Sequence, residues 1–335
     1  MTMKLKPLII ICCILIAVAA VLMALALNII VSEPAETPEP TATPEPLPTA
    51  SPEPTAHPIG EVRKIDGGLG PAIFAECELP GRVETLGYTT AGCEKQMRVY
   101  LPYGYDGKGP YNVLVLLHGY GGSESYWFDE DRWYNDFDYC DAYPAHTNVM
   151  LDNMIANRFC EPVIVVSPTY YLNRDWRAEG DNLTRDTMQF RDELRYDILP
   201  ALAANYATYP VGDRKHYGFI GASHGSCLCY SAVMAYDLDL FAWFGAVSGC
   251  ETSAAKLQQC WLEHGLNDYG ISYLYISAGE NDFLRGESQA GYRDMVNNCE
   301  KITDDNSEYV VIREAEHEDI VWLDAVYNCM LEFFR

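Results

Sequence analysis

Gly221-Ala222-Ser223-His224-Gly225 is the stretch whose reading decides the fold of this chain. It fits the pattern G-x-S-x-G. His216-Tyr217-Gly218-Phe219-Ile220 before it has the texture of a short strand. The ten residues from Ser226 to Ala235 after it have the small and apolar content of a buried helix. A serine on so sharp a strand-to-helix turn presents its Oγ at the end of a sheet, and flanking glycines remove Cβ atoms that would clash in the bend. The helix start behind it offers N–H groups and partial positive charge to an oxyanion. Ser223 is therefore the candidate nucleophile. The pattern alone arises by chance in about one chain in ten of this length, so its weight depends on what accompanies it.

A nucleophilic serine needs a base, a group that orients the base, and oxyanion donors. The chain has seven histidines. His57 lies among prolines, and His146, His216 and His264 lack motif context. His224 adjoins Ser223, so its side chain should leave the turn in another direction. His118 ends an apolar run and is expected to brace a loop. His317 differs: it follows the strand-like Tyr309-Val310-Val311-Ile312 and precedes an amphipathic segment from Ile320 to Phe334. A histidine in the last loop before the last helix completes the chain order Ser, acid, His. The acid should then end a strand between them. Ile271 to Ala278 reads as that strand and runs into Gly279-Glu280-Asn281-Asp282. Asp282 is the choice and Glu280 the alternative. The apolar run Tyr111 to Leu117 enters His118-Gly119-Tyr120-Gly121-Gly122, a loop whose backbone can approach a reacting carbonyl. The expected oxyanion donors are the N–H of His224 and that of Tyr120 or, as second choice, Gly121.

The formal net charge of −25 over 335 residues argues against nucleic acid and against anionic membrane surfaces. Lys4 and Lys6 precede an uncharged run over 7–32, long enough to span a bilayer. The positive flank should stay inside. The expectation is an uncleaved membrane anchor over 1–31 that holds an extracellular domain. The alternative is a secreted protein whose signal peptide is cut near Ala24-Leu25-Ala26. Residues 32–59 hold near-repeats such as Thr37-Pro38-Glu39-Pro40 and Thr43-Pro44-Glu45-Pro46. They cannot build a core and read as an extended spacer reaching about 80 Å. Residues 60–335 have globular texture and fit one domain. Ten cysteines lie there, an even number that permits disulfides in an exported domain. Cys227 and Cys229, two apart on a helix, should not pair with each other. No spacing suggests a metal site, and no cofactor is expected.

Strand-like runs recur at Val83–Thr90, Gln96–Leu101, Val113–Leu117, Pro162–Ser167, Tyr217–Ile220, Ala242–Ser248, Ile271–Ala278 and Tyr309–Ile312. The first two read as an antiparallel pair. Helical stretches such as Val149–Phe159 and Asp192–Ala207 lie between others. The alternation predicts an α/β fold, a doubly wound, mostly parallel sheet with helices on both faces.

These motifs resemble the esterase D-like branch of the α/β-hydrolases, and most of all the feruloyl esterase domains of carbohydrate esterase family 1. The resemblance covers about Gly81 to Arg335. It rests on Met97 to Tyr105, Leu116 to Glu124, Val163 to Thr169, Ile220 to Gly225 and the His317 segment. It implies a serine esterase with Ser223, Asp282 and His317 as triad, acting on feruloyl or acetyl esters of plant polysaccharide. The branch also holds thioesterases, siderophore esterases and acyltransferases. His224 stands where the family usually has Met, and no separate carbohydrate-binding module is present in the sequence. Trp127, Trp133, Tyr170, Tyr171 and Trp176 follow strand ends, where a substrate pocket should open. They are the expected aromatic walls. The rival from another class is a non-catalytic surface-binding protein that kept the fold.

Overall fold

The apolar runs become strands of one sheet. A computed structural model describes residues 62–67, 69–128, 147–172, 183–249 and 252–335. The described strands are β1 (Val62–Asp66), β2 (Arg82–Thr90), β3 (Cys93–Leu101), β4 (Asn112–Leu117), β5 (Val163–Ser167), β6 (Tyr217–Ala222), β7 (Trp243–Val247), β8 (Tyr273–Gly279) and β9 (Ser307–Arg313). Their order across the sheet is β1-β9-β8-β7-β6-β4-β5-β3-β2. β3 pairs antiparallel with β2 and β5, and the remaining pairs are parallel. The eight expected strands are all present. β1 is additional. Its Val-Arg-Lys-Ile-Asp sequence carries the charges typical of an edge strand, which disguise it as a loop in sequence.

Alternate residues of each central strand feed two cores. Val113, Val115 and Leu117 of β4 join one cluster, with Phe219, Phe244, Ile276 and Val311. Leu114 and Leu116 join the other, with Ile220, Val247, Tyr275 and Val310. Burial on both faces explains why these strands read as unbroken apolar runs. The described helices are α1 (Thr147–Ala156), α2 (Leu183–Glu193), α3 (Leu199–Asn205), α4 (His224–Leu228), α5 (Ala254–Glu263), α6 (Arg285–Asn298) and α7 (Asp319–Glu332). A π-helical turn over Leu194–Ile198 joins α2 to α3. The widening falls just before Pro200, whose ring leaves no N–H to donate. β4 lies between β5 and β6. The chain therefore winds in opposite directions from β4, and the crevice beyond the strand ends there is where open α/β sheets place ligands.

Among the described residues no helix is long and apolar enough to cross a membrane. The uncharged 7–32 run and the spacer lie outside the described residues. Among those described, Cys77, Cys93, Cys160, Cys227, Cys229, Cys260, Cys299 and Cys329 are free thiols. Cys140 and Cys250 lie outside them.

Candidate active site

Ser223 joins β6 to α4 with φ +54° and ψ −117°. A non-glycine residue in that region stores strain that the surroundings must offset. Here a Cβ on Gly221 would stand 2.0 Å from the Gly225 carbonyl oxygen, and one on Gly225 2.6 Å from that of Leu117. Only glycine permits strand, turn and helix to approach so closely. The Ser223 N–H donates to the Val247 carbonyl (2.8 Å), which ties the turn to the neighbouring strand. Behind the turn α4 passes into a π-helical segment, Cys229–Met234, buried but for Ser231.

His317 reaches the serine from the β9–α7 loop. Its Nε2 lies 2.9 Å from Ser223 Oγ. Its Nδ1 lies 3.1 Å from each oxygen of Asp282. The Asp282 side chain is wholly buried and that of His317 is 18% exposed. Burial works to raise the Asp282 carboxyl. The hydrogen bond and charge of His317, with the Leu284 N–H, outweigh it and hold the group below the usual carboxylate range. Glu280, the alternative acid, turns elsewhere: it accepts from Lys64 Nζ (2.7 Å) and from the Glu314 N–H (3.2 Å).

The loop after β4 lies against the serine, and a Cβ on Gly119 would stand 3.0 Å from Ser223 Cβ. Three donors converge on the Gly119 carbonyl: His118 Nδ1 (2.7 Å), Tyr170 Oη (3.1 Å) and the Gly122 N–H (3.2 Å). With Nδ1 protonated, His118 Nε2 accepts from the Thr169 hydroxyl at 2.9 Å. Burial depresses the His118 imidazole to about 3, against the raising effect of the Gly119 carbonyl, so the ring is neutral. In a trans peptide the N–H points opposite to the preceding carbonyl. Fixing the Gly119 carbonyl therefore fixes the direction of the Tyr120 N–H. The Gly121 N–H donates to Tyr171 Oη (3.0 Å), which commits the second-choice oxyanion donor elsewhere. His224 opens α4, where first-turn N–H groups have no acceptor within the helix. Its imidazole packs 4.7 Å from the Tyr170 ring, and burial lowers it to about 4.

The expected aromatic walls need correction. Trp127 is 2% exposed and packs with Tyr126 and Phe128 in the core. Tyr170 and Tyr171 are 2% and 5% exposed, and their hydroxyls bond to each other (2.9 Å) and to the β4 loop. The two tyrosines buttress the β4 loop from within, and Trp127 fills core space. Trp133 and Trp176 lie outside the described residues. Two aromatic neighbours of the histidine escaped the sequence reading. Trp322 packs edge-on to His317 (5.6 Å, 84°) from α7. Phe283 lies 4.7 Å from it and is 77% exposed. Adjacency to Asp282 was the available signal for Phe283. Trp322 had none, since a tryptophan on an amphipathic helix reads as core.

Among the described residues no cluster of His, Cys, Asp and Glu could hold a metal ion. A serine, histidine and buried carboxylate in hydrogen-bonded series can carry nucleophilic acyl transfer without one.

Fold and constellation are those of an α/β-hydrolase. The model of the family described as "Putative esterase" matches residues 89–318, and the chain belongs to that family. The chain is 34% identical over 181 residues to endo-1,4-beta-xylanase Y of Acetivibrio thermocellus, covering 52% of this chain and 15% of that protein. It is 23% identical over 202 residues to an endo-1,4-beta-xylanase/feruloyl esterase of Xylanibacter ruminicola, covering 59% and 24%. The matched region thus spans less than a quarter of either relative's length. Among solved structures, a mutant feruloyl esterase module from Clostridium thermocellum, complexed with sinapinate, superposes with TM-score 0.64. Identity is 23%, over 82% of this chain and 95% of that one. A ferulic acid esterase of Anaeromyces mucronatus with ferulic acid gives TM-score 0.63 at 18% identity, over 79% and 96%. These likenesses establish the fold.

Proposed function

We propose that the protein is a serine esterase working through an acyl-enzyme on Ser223. The observation that carries this reading is the unbroken series Ser223 Oγ, His317 Nε2, His317 Nδ1, Asp282 carboxylate at 2.9 and 3.1 Å. Ser223 Oγ attacks the ester carbonyl carbon while His317 Nε2 takes its proton. The N–H groups of His224 and Tyr120 hold the oxyanion. The tetrahedral adduct collapses, and His317 returns the proton to the departing alcohol oxygen. Water then attacks the acyl-enzyme with His317 again as base, releasing the acid. Asp282 keeps the proton on Nδ1 and faces the imidazolium as it forms.

The substrate is a feruloyl ester first and an acetyl ester second, carried on plant-type polysaccharide. What supports this is the xylanase and feruloyl esterase company of the chain. The domain acts outside the cell, held by the 7–32 run on its proline-rich spacer. Protease treatment of intact cells then releases an active fragment that begins within 33–60. Recovery of free protein starting near Leu27 reveals a cleaved signal peptide instead.

A fluorophosphonate probe tests the mechanism. It labels Ser223 in the folded protein, and Ser223→Ala abolishes both labelling and turnover. Folded wild-type protein that resists the probe is a binding protein and no esterase. Methyl ferulate, acetylated xylan, short p-nitrophenyl esters and a thioester then rank the acyl groups. Activity on short acyl esters with none on ferulate leaves the mechanism standing and rejects the feruloyl assignment.

A further inference from the structure

Phe283 is a large apolar side chain that the fold does not use. At 77% exposure it removes little surface from water on folding and contributes little to stability. It is nonetheless held in place. Asp282 Oδ1 accepts the Leu284 N–H (2.8 Å), which closes a turn with Phe283 at its middle. The Asp282 N–H donates to the Gly279 carbonyl (3.2 Å), and the Arg285 N–H to the Asp282 carbonyl (3.1 Å). The same carboxylate therefore orients His317 and fixes the backbone that carries Phe283. The Phe283 ring lies 4.7 Å from the imidazole, tilted by 39°. Trp322, nearly buried, packs against that imidazole edge-on and leaves the exposed ring on the open side.

Chemistry defines what must pass there. The alcohol oxygen of the ester takes its proton from His317 Nε2 as it leaves, so it must come within hydrogen-bond reach of that atom. The alcohol portion of the substrate therefore extends on the histidine side of Ser223. The acyl carbonyl oxygen faces the opposite side, toward the β4 loop and the start of α4. An exposed aromatic ring beside His317 thus borders the path of the leaving group.

We propose that Phe283 is the platform for the alcohol portion of the ester, and that this alcohol is a neutral sugar ring whose C–H face packs on the phenyl ring. A formal charge of −25 disfavours an anionic alcohol. The proposal rests on the serine-esterase reading. It makes Phe283 a determinant of alcohol specificity with no part in the chemistry.

The test uses two esters with one acyl group, methyl ferulate and a feruloylated arabinoxylan oligosaccharide, with the full chain and its Phe283→Ala and Phe283→Trp variants. Phe283→Ala raises KM for the oligosaccharide ester about 3- to 10-fold, as expected for loss of one ring's apolar contact. It leaves kcat and KM for methyl ferulate within about twofold, and Phe283→Trp retains the oligosaccharide KM. Deacylation is the same in all three, because the alcohol has already left. Equal losses on both esters, or a shifted pH profile, show that Phe283 only shields the His317–Asp282 pair and overturn the proposal. An unchanged KM for the oligosaccharide also overturns it. If wild-type protein spares ferulate but cleaves acetate, methyl acetate and an acetylated xylo-oligosaccharide form the pair and the same outcomes decide. A wild type inactive on every ester refutes the esterase reading itself, which separates the two failures.

Discussion

Two loops flank Ser223, and each brings aromatic rings to it in a different way. Around the loop after β4, the rings of His118 and of Tyr170 and Tyr171, which follow β5 and pack onto that loop, are buried and spend polar atoms on its backbone. After β8, Phe283 has no polar atom and stands in solvent beside His317. The first set aims a peptide group, while the second leaves a surface. An aromatic residue near a strand end can therefore hold a site or meet a ligand, and its residue type does not say which. A tyrosine is drawn inward wherever loop carbonyls and N–H groups need partners, because an unpaired buried polar group is costly. A phenylalanine can satisfy none of them.

The sharpest break between the loops comes from the carboxylate. Asp282→Asn lowers kcat by about four orders of magnitude, because the imidazole loses its tautomer and its counter-charge. Glu280→Gln, one turn away and paired with Lys64, stays within a few-fold. Steady-state kinetics on one good ester decide it, and the reverse ranking moves the acid to Glu280.

Tyr170→Phe probes the other loop. It removes one of three donors from the Gly119 carbonyl and loosens the aim of the Tyr120 N–H. Losing an oxyanion donor outright costs about 100- to 1,000-fold in kcat, so loosening one should cost about tenfold, with KM little changed. A change in KM alone would show that Tyr170 meets substrate after all.

The smallest effect is on stability. A depressed histidine pKa makes the unfolded state bind the extra proton first. Stability is full above the ordinary value near 6.5 and is lost as pH falls from there toward about 3, the position of His118. Between pH 7 and pH 5 this group alone should remove about 2 kcal/mol. Denaturant unfolding at the two pH values measures it. His118→Asn should shrink the difference by about that amount, whatever its effect on stability at pH 7. An undiminished difference would place the acid sensitivity elsewhere, with His224 the next candidate.

Much of the molecule was legible in the chain because its signals are local. A strand buried on both faces has to be apolar throughout, so the six strands β4 to β9 stand out, while β2 and β3 alternate and show as an antiparallel pair. A turn as tight as Ser223's needs Gly221 and Gly225, so the candidate nucleophile stands out in the sequence. Chain order then points to His317 and to the loop of Asp282. β1 escaped because an edge strand carries charge, and the π-helical turns escaped because they share helical texture. The choices left to tertiary structure were all between like groups. Asp282 and Glu280 are both loop carboxylates, separated only when Lys64 of β1 draws one away. Tyr120 and Gly121 offer similar N–H groups until Tyr171, fifty residues on, takes one of them. Tyr170, Trp127 and Phe283 are all aromatic, and only packing sets which are buried. Sequence specifies the kinds of group a site has at hand, through local periodicity and backbone sterics. Which member of each kind reaches the serine depends on partners far along the chain, and only the folded sheet brings those together.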